Sequence, residues 1–441
     1  MSTFEALGLN ARILARLAQM NITVPTPIQA EAIPAALQGQ DVMGLAQTGT
    51  GKTAAFALPL LQGLEAMSGG PFPKSARSLI LAPTRELANQ IADAIADFAG
   101  GARLKITVVV GGASIHPQIK RLARGVDVLV ATPGRLIDLI ERNAVDLSDT
   151  GYLVLDEADQ MLDMGFIHAL RQIAPLLPAQ RQTMLFSATM PKQMAELARA
   201  FLTNPVRIET APPGTTAENI TQAVHFVLQS DKTRLLDTLL TEHTEELALV
   251  FARTKHGAER LMTQLERAGF AAGSIHGDKR QRERERTIRD FKDGRIRVLV
   301  ATDVAARGID IPDVRYVYNY DLPNVAENYI HRIGRTARAG ANGNAVAFCA
   351  PHEMDDLRAI QKAVDLRLPV ASGSEWRNEK TASRPAGKRP GQGRGQGQGQ
   401  GPSQGRNSQG QGFGGGAGKP AFGDNNRRPA RGGSSRPRRA A

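Results

Sequence analysis

The chain has 441 residues, 55 Lys or Arg against 43 Asp or Glu, a formal charge of +12, 44 glycines and one cysteine. Cys349 has no second cysteine to pair with, and no Cys/His cluster has zinc spacing, which excludes a disulfide scaffold and a zinc ribbon. No run approaches the roughly 18 apolar residues of a membrane span and the first residues lack a signal core, so a soluble, cytoplasmic protein without a membrane partner is expected.

In chain order, short runs rich in Val, Ile and Leu alternate with stretches of helical spacing. Residues 77–82, 105–110, 127–131, 152–155 and 183–187 are short and mostly unalternating, as strands buried on both faces of a parallel sheet are. Residues 85–99 place Leu87, Ile91, Ile95 and Phe98 on one face, which predicts a helix. This βα alternation predicts an α/β domain over residues 1–208. Residues 209–218, with two prolines, a glycine and threonines, favour neither helix nor strand and read as a linker. Alternation resumes at 223–228, 247–251, 296–301, 314–318 and 345–349, giving a second α/β domain over 219–370. Its Arg-rich helix, 281–291, suits a solvated face.

Residues 371–441 hold 14 Lys or Arg, 3 Asp or Glu and 18 glycines, with no Val, Ile, Leu or Met. Nothing there offsets the entropy of ordering a chain, so a disordered tail is expected. The tail carries +11 and the rest of the chain +1. Its Gly-Gln repeats and scattered Arg suit a flexible hold on phosphate backbones, or a merely solubilising extension.

The strongest local signal is Ala46-Gln-Thr-Gly-Thr-Gly-Lys-Thr53, after the apolar run 41–45 and before a helical stretch at 54–64. It fits the phosphate loop except that Ala46 replaces the first glycine. Gly49 and Gly51 let backbone N–H groups curl around phosphate oxygens, Lys52 supplies charge, and the Thr53 hydroxyl can ligate magnesium. A second requirement, an acid at the end of another buried strand, is met by Asp156 and Glu157 after residues 152–155. Asp156 would hold magnesium and Glu157 orient or deprotonate the attacking water. Alone, the same residues suit a helix start with Asp156 as N-cap and Asp159 near the dipole; the phosphate loop decides for magnesium.

Asp156-Glu-Ala-Asp159 and about a dozen further segments in order resemble the DEAD-box ATP-dependent RNA helicases over residues 1 to about 365. The resemblance implies two tandem RecA-like parallel-sheet domains, ATP with Mg2+, and RNA as single strand and short duplex. Val24-Pro-Thr-Pro-Ile-Gln29 is similar to the adenine-reading motif, with Gln29 on the base edge and Phe4 the isolated aromatic. Around the phosphates the likeness implies Ala46, Gln47, Thr48, Gly49, Thr50, Gly51, Lys52 and Thr53, with Asp310 near the ribose. Pro83, Thr84, Arg85, Gly111, Gly112, Thr132, Gly134 and Arg135 match first-domain RNA-contact segments, and Thr254, Arg284 and Thr302 second-domain ones. Ser187 and Thr189 resemble the segment that couples hydrolysis to unwinding. In residues 329–338, Arg335 and Arg338 correspond to fingers reaching the γ-phosphate, and His331 to their link with the relay. With one histidine and three arginines, residues 331–338 look too basic for a core. Asn21 and Ile22 stand where the family usually has glycine and an aromatic residue, and Ala337 where it has glycine.

The expected activity is RNA-stimulated ATP hydrolysis with local unwinding of short duplexes by a monomer. An ATP-dependent RNA clamp or ribonucleoprotein-remodelling module is the alternative, and a DNA helicase a weaker third. The short core and Gly/Arg-rich tail suggest a bacterial, RhlE-like member, with ribonucleoprotein or RNA-decay partners implied by family alone.

Overall fold

The computed structural model describes residues 3–46, 49–190, 192–210, 219–306, 309, 311, 314–337 and 341–376. After a 3-10 turn at Phe4–Leu7, the first lobe runs α1 (Ala11–Gln19), α2 (Pro27–Leu37), β1 (Val42–Leu45), α3 (Lys52–Ala66), β2 (Ala76–Leu81), α4 (Arg85–Ala99), β3 (Ile106–Val109) and α5 (Ile115–Leu122). It continues with β4 (Val126–Ala131), α6 (Pro133–Glu141), β5 (Tyr152–Leu155), α7 (Ala158–Asp163), α8 (Ile167–Ile173), β6 (Gln182–Ser187), α9 (Lys192–Phe201) and β7 (Val206–Glu209). The second lobe runs β8 (Ile220–Phe226), α10 (Lys232–Thr241), β9 (Leu247–Phe251), α11 (Lys255–Arg267), β10 (Ala272–Ile275) and α12 (Gln281–Lys292). It ends with β11 (Val298–Ala301), α13 (Asp303–Ala306), β12 (Val314–Asn319), α14 (Ala326–Ile333), β13 (Gly343–Cys349), α15 (Met354–Ala363) and β14 (Val370–Ser372).

Each lobe is built on one seven-stranded parallel sheet, ordered β3-β4-β2-β5-β6-β1-β7 in the first and β10-β11-β9-β12-β13-β8-β14 in the second. Subtracting seven from each label of the second order returns the first, so both lobes share one topology. Both faces of each sheet are covered, which is why the strands read as continuous apolar runs. Val128, Val130, Val154 and Phe186 pack towards α2, α3 and α4, whereas their neighbours Leu129, Leu153, Leu155 and Leu185 pack towards α6 to α9. In the second lobe, Val250 and Val300 face α11, and Leu249 and Leu299 face Phe291. Phe291 is the one buried residue of the Arg-rich α12, in keeping with a mostly solvated helix.

Three strands escape the apolar-run criterion. β10 is Ala-Gly-Ser-Ile, with one β-branched residue, and β7 and β14 are short edges whose polar residues face out. β14 straddles the expected start of the tail, and beyond it the Trp376 indole donates to the Cys349 carbonyl at 3.0 Å. Among the described residues no helix is long and apolar enough to cross a membrane.

Candidate nucleotide and RNA site

Strand order decides which residues can meet. The phosphate loop follows β1, Asp156 follows β5, and β6, ending in Ser187, lies between them, so Lys52 and Asp156 leave strands about 10 Å apart on the same sheet edge. Gly51 caps α3 at φ +87°, and a Cβ there would collide with the Gln29 amide nitrogen. Gln29 holds the loop from the other side: its Nε2 donates to the Gly51 carbonyl at 3.0 Å and its Oε1 accepts the Thr26 N–H at 3.0 Å. One amide hydrogen and one oxygen lone pair remain for a base edge. Lys52 is 6% exposed and folds back onto the loop, Nζ donating to the Ala46 carbonyl at 3.1 Å. Thr53 is half-buried and Thr50 borders it in the loop, while Gln47 and Thr48 lie outside the described residues. Phe4 is 2% exposed, packed in the core with Leu7 and α2, and presents little ring surface.

Asp156 and Glu157 are 2% and 3% exposed. Burial pushes the Asp156 carboxyl up to about 6, against the pull of the Lys52 ammonium and with the repulsion of Glu157 and Asp159. Glu157 sits at φ +51°, a left-handed conformation that a non-glycine residue holds only at a cost, and its Oε2 is buried with no hydrogen-bond partner. A strained acid with an orphaned oxygen beside a second buried carboxylate is a constellation with no structural rationale of its own.

Asp159, read from sequence only as a dipole partner, takes a different role. Its Oδ2 accepts the Ala188 N–H at 3.0 Å, the Thr189 N–H at 2.9 Å and the Thr189 hydroxyl at 3.0 Å, while the Ser187 hydroxyl donates to the Thr189 carbonyl at 2.7 Å. The acidic turn after β5 and the hydroxyl turn after β6 are therefore one network. The signal in sequence was only that a third acid followed Asp156 by three.

The expected RNA segments of the first lobe converge. Thr84 caps α4 and Thr132 caps α6, with Pro83 buried behind and Gly134 exposed in front. Gly112, at φ +71°, leaves room for the Arg85 guanidinium, which a Cβ would strike, and Gly111 lies beside it. The Arg135 guanidinium donates twice to the Ala113 carbonyl at 3.2 Å. In the second lobe Thr254 is exposed and caps α11, and Thr302 is half-buried and opens α13.

Arg284 is not a free cation. Its Nε and one terminal nitrogen donate to Glu86 Oε1 of the first lobe at 3.0 and 2.9 Å, with side-chain exposures of 12% and 11%. Alongside, Arg85 donates to Gln281 Oε1 at 2.9 Å. These four residues tie α4 to α12 across the two lobes. Because the Glu86–Arg284 pair is mostly desolvated, Glu86→Gln and Arg284→Gln should each weaken RNA-stimulated turnover. The double variant should be no worse than the poorer single one, a coupling of about 1 to 3 kcal/mol in a double-mutant cycle on kcat/KM.

The basic segment from His331 to Ala337 divides by role, and the expectation that it is too basic for the core is overturned at Arg332. That side chain is 2% exposed, paired with Asp303 at 2.5 and 2.8 Å, bonded to Asn319 Oδ1 at 3.0 Å and the Asp321 carbonyl at 2.7 Å, and set over the Phe251 ring. A guanidinium can be buried when every donor direction meets an acceptor. Arg335 is 5% exposed and donates to the Ile309 and His331 carbonyls at 2.9 and 3.2 Å; His331 is half-buried in the same cavity wall. Asp310 and Arg338 lie outside the described residues.

Two departures from the family pattern now have a physical reading. Asn21 and Ala337 both sit at positive φ, +57° and +56°, which glycine adopts freely. Asparagine tolerates that region, alanine less so. Ala337→Gly should therefore stabilise the fold, by up to about 1 kcal/mol after the extra entropy of glycine in the unfolded chain, read as a higher urea midpoint.

Comparison with known proteins agrees with this arrangement. The DEAD/DEAH box helicase family matches residues 26–197 and the helicase conserved C-terminal domain residues 231–340. The DEAD-box ATP-dependent RNA helicase CshA of Bacillus cereus is 44% identical over 368 residues, 83% of this chain and 69% of that protein, and CshA of Bacillus anthracis matches equally. S. cerevisiae Dbp5 bound to RNA and ADP BeF3 superposes with a TM-score of 0.76 at 32% identity, covering 84% of this chain and 96% of that one. Mss116p bound to ssRNA and AMP-PNP gives 0.77 at 29% identity, covering 85% and 80%. With two helicase family matches on its two lobes and relatives of this identity, the chain belongs to the DEAD-box ATP-dependent RNA helicases.

Proposed function

We propose that this helicase couples RNA-stimulated ATP hydrolysis to local separation of short RNA duplexes, and that the Asp159 bridge to Thr189 carries the coupling. In this reading the backbone N–H groups at Gly49 and Gly51 cradle the phosphates, and the Lys52 ammonium leaves the Ala46 carbonyl for a phosphate oxygen. Glu157, through its orphaned Oε2, orients the attacking water and takes its proton. Gln29 reads the base edge with its spare donor and acceptor. Arg335 and Arg338, supplied from the second lobe, neutralise charge on the γ-phosphate, and His331 connects them to the Ser187–Thr189 turn. Thr53 and Asp156 suit Mg2+, since a buried carboxyl whose ionisation is disfavoured beside an unpartnered Glu157 oxygen gains from a cation there. When bound, the ion would neutralise phosphate charge.

RNA lies, in the same reading, along the Thr84, Arg85, Gly112 and Arg135 surface and over Thr254 and Thr302. The Arg85–Gln281 and Glu86–Arg284 bonds join the two halves of that groove. A groove that accepts only a bent single strand would part a short duplex without translocation. The comparison structures bound to RNA with ADP BeF3 or AMP-PNP support this pairing of ligands. Residues 371–441 serve as an RNA tether, on the strength of their charge. The finer RhlE-like placement rests on the short core and Gly/Arg-rich tail; the matching bacterial relatives carry the name CshA and support the bacterial assignment.

ATPase and strand displacement measured with RNA, with DNA and without nucleic acid test the reading. Turnover that is equal in all three would sink it. For the tether, truncation after Trp376 should flatten the log-log salt dependence of RNA binding by up to about 8, at ~0.7 per phosphate contact.

A further inference from the structure

One feature of the first lobe plays no part in the site described above. Between Asp97 and Asp127 lie 29 residues without an Asp or Glu, and they carry Arg103, Lys105, Lys120, Arg121 and Arg124. All five side chains are exposed, and none pairs with an acid among the described residues. Elsewhere in this lobe arginines find carboxylates: Arg77 with Asp127 at 3.5 Å, Arg135 and Arg142 with Asp138 at 3.6 and 2.6 Å. Asp127, which follows the group, is 5% exposed; one of its oxygens accepts the Lys105 backbone N–H at 2.8 Å and the other meets the Arg77 guanidinium at 3.5 Å, so it reaches none of the five charged ends. The acids of α4 are on the other side, because α4 and α5 cover opposite faces of the sheet.

The placement of these cations is specific. β3 is the edge strand of its sheet, Arg103 and Lys105 lead into it, and α5 returns alongside. α5 turns Ile119 and Leu122 inward, leaving His116, Lys120 and Arg121 outward. Its start is locked to the Gly111–Gly112 loop by buried Gln118, whose amide meets the Val110 N–H and carbonyl at 3.1 Å each and the Ser114 carbonyl at 3.1 Å. Eight residues of helix cover about 12 Å, and the cations gather towards its far end: Lys120 and Arg121 are in the last turn of α5, Arg124 follows it, and Arg103 and Lys105 precede β3.

We infer that this edge is an accessory RNA-backbone track, which takes the strand flanking the segment held in the groove; the inference rests on the RNA-helicase reading. A single-sign row of unpaired, solvent-facing Lys and Arg binds a polyanion without reading bases. RNA is favoured over an acidic protein segment because α5 starts beside the Gly111–Gly112 loop and the row begins at Lys120, about 8 Å along that helix, within about one or two nucleotides of where the bound strand would leave Gly112. It also spans a rigid helix rather than a pocket.

The test uses the full chain and Lys120→Gln/Arg121→Gln/Arg124→Gln, none of which belongs to the nucleotide or groove machinery. Binding is measured with RNAs of about six and about fifteen nucleotides across a salt series. The expected result is equal binding and equal ATPase stimulation with the short RNA. With the long RNA the salt slope should be shallower by about 2, so that the affinity gap to wild type narrows about 20-fold between 50 and 200 mM salt. Unchanged affinity and slope with the long RNA would overturn the track and leave the cations as guards of an exposed strand edge, or as a site for an acidic protein. Wild type that binds neither RNA would overturn the RNA reading itself, whereas loss with the short RNA alone would place the residues inside the groove and also reject the track.

Discussion

Glu157→Gln should lower ATP turnover by about 10² to 10⁴ while leaving nucleotide affinity nearly unchanged. The substitution keeps the volume, the burial and the left-handed backbone of Glu157, and replaces only the oxygen that has no partner. Glutamine can still orient water but cannot take its proton, so the loss falls on kcat. Asp156 keeps its hydrogen bond to the residue 157 N–H, at 3.0 Å in the native chain. Single-turnover hydrolysis with and without RNA, paired with a fluorescent-nucleotide titration, measures both quantities. If affinity fell as far as turnover, Glu157 would be holding the nucleotide rather than activating water. A second consequence separates enzyme from clamp: the variant should accumulate an ATP-dependent RNA complex that wild type releases.

Glu353→Ala should cost the second lobe about 3 to 5 kcal/mol, the largest stability effect expected anywhere in the described chain. Lys232 is wholly buried, and its ammonium donates to Glu353 Oε2 at 2.6 Å and the Tyr320 carbonyl at 2.6 Å. Glu353, 1% exposed, also accepts from the Leu322 and Ala350 N–H groups at 3.0 Å each and from Arg253 at 3.2 Å. Removing its carboxylate therefore leaves the buried Lys232 ammonium with the Tyr320 carbonyl and a longer contact to Asp321 at 3.5 Å, and leaves two backbone donors without their acceptor. The double change Lys232→Met/Glu353→Gln should recover part of the loss, because the uncompensated charge is gone. Urea unfolding of the four chains in a double-mutant cycle reads the coupling. Since Arg253 precedes Thr254, the cap of α11 on the expected RNA surface, RNA affinity should fall with the single substitution and return in step with stability in the double.

Much of this protein is legible along the chain because its determinants are local. A buried parallel strand must be a short apolar run, and β5 and β9 were delimited to the residue on that ground. The helix at Arg85–Ala99 was likewise bounded correctly, since Thr84 supplies the cap and Gly100 the left-handed exit. The phosphate loop is readable for the same reason: glycine spacing, lysine and helix start all fall within eight residues.

What was not legible depends on partners far apart in sequence. Lys232 and Glu353 are 121 residues apart, and Glu86 and Arg284 are 198; each looks like an ordinary surface charge until topology brings its partner in. Arg332 shows the converse, a residue whose type argued for solvent and whose surroundings, Asp303, Asn319 and the Phe251 ring, allow burial. Asp159 could be placed on a helix start from sequence, but only the adjacency of β5 and β6 directs it to Thr189.

The sequence by itself determined the two α/β lobes, the candidate groups for binding phosphate and activating water, and a charge of +12 that is almost wholly in the tail. These follow from composition, period and spacing, which act over one element at a time. Only the tertiary structure decided that the two sheets share one strand order, which buried carboxylate oxygens are left without a partner, and which cations are committed to acidic neighbours. The reason is that burial and pairing are properties of a location in the fold, and a location is set by every strand that packs around it.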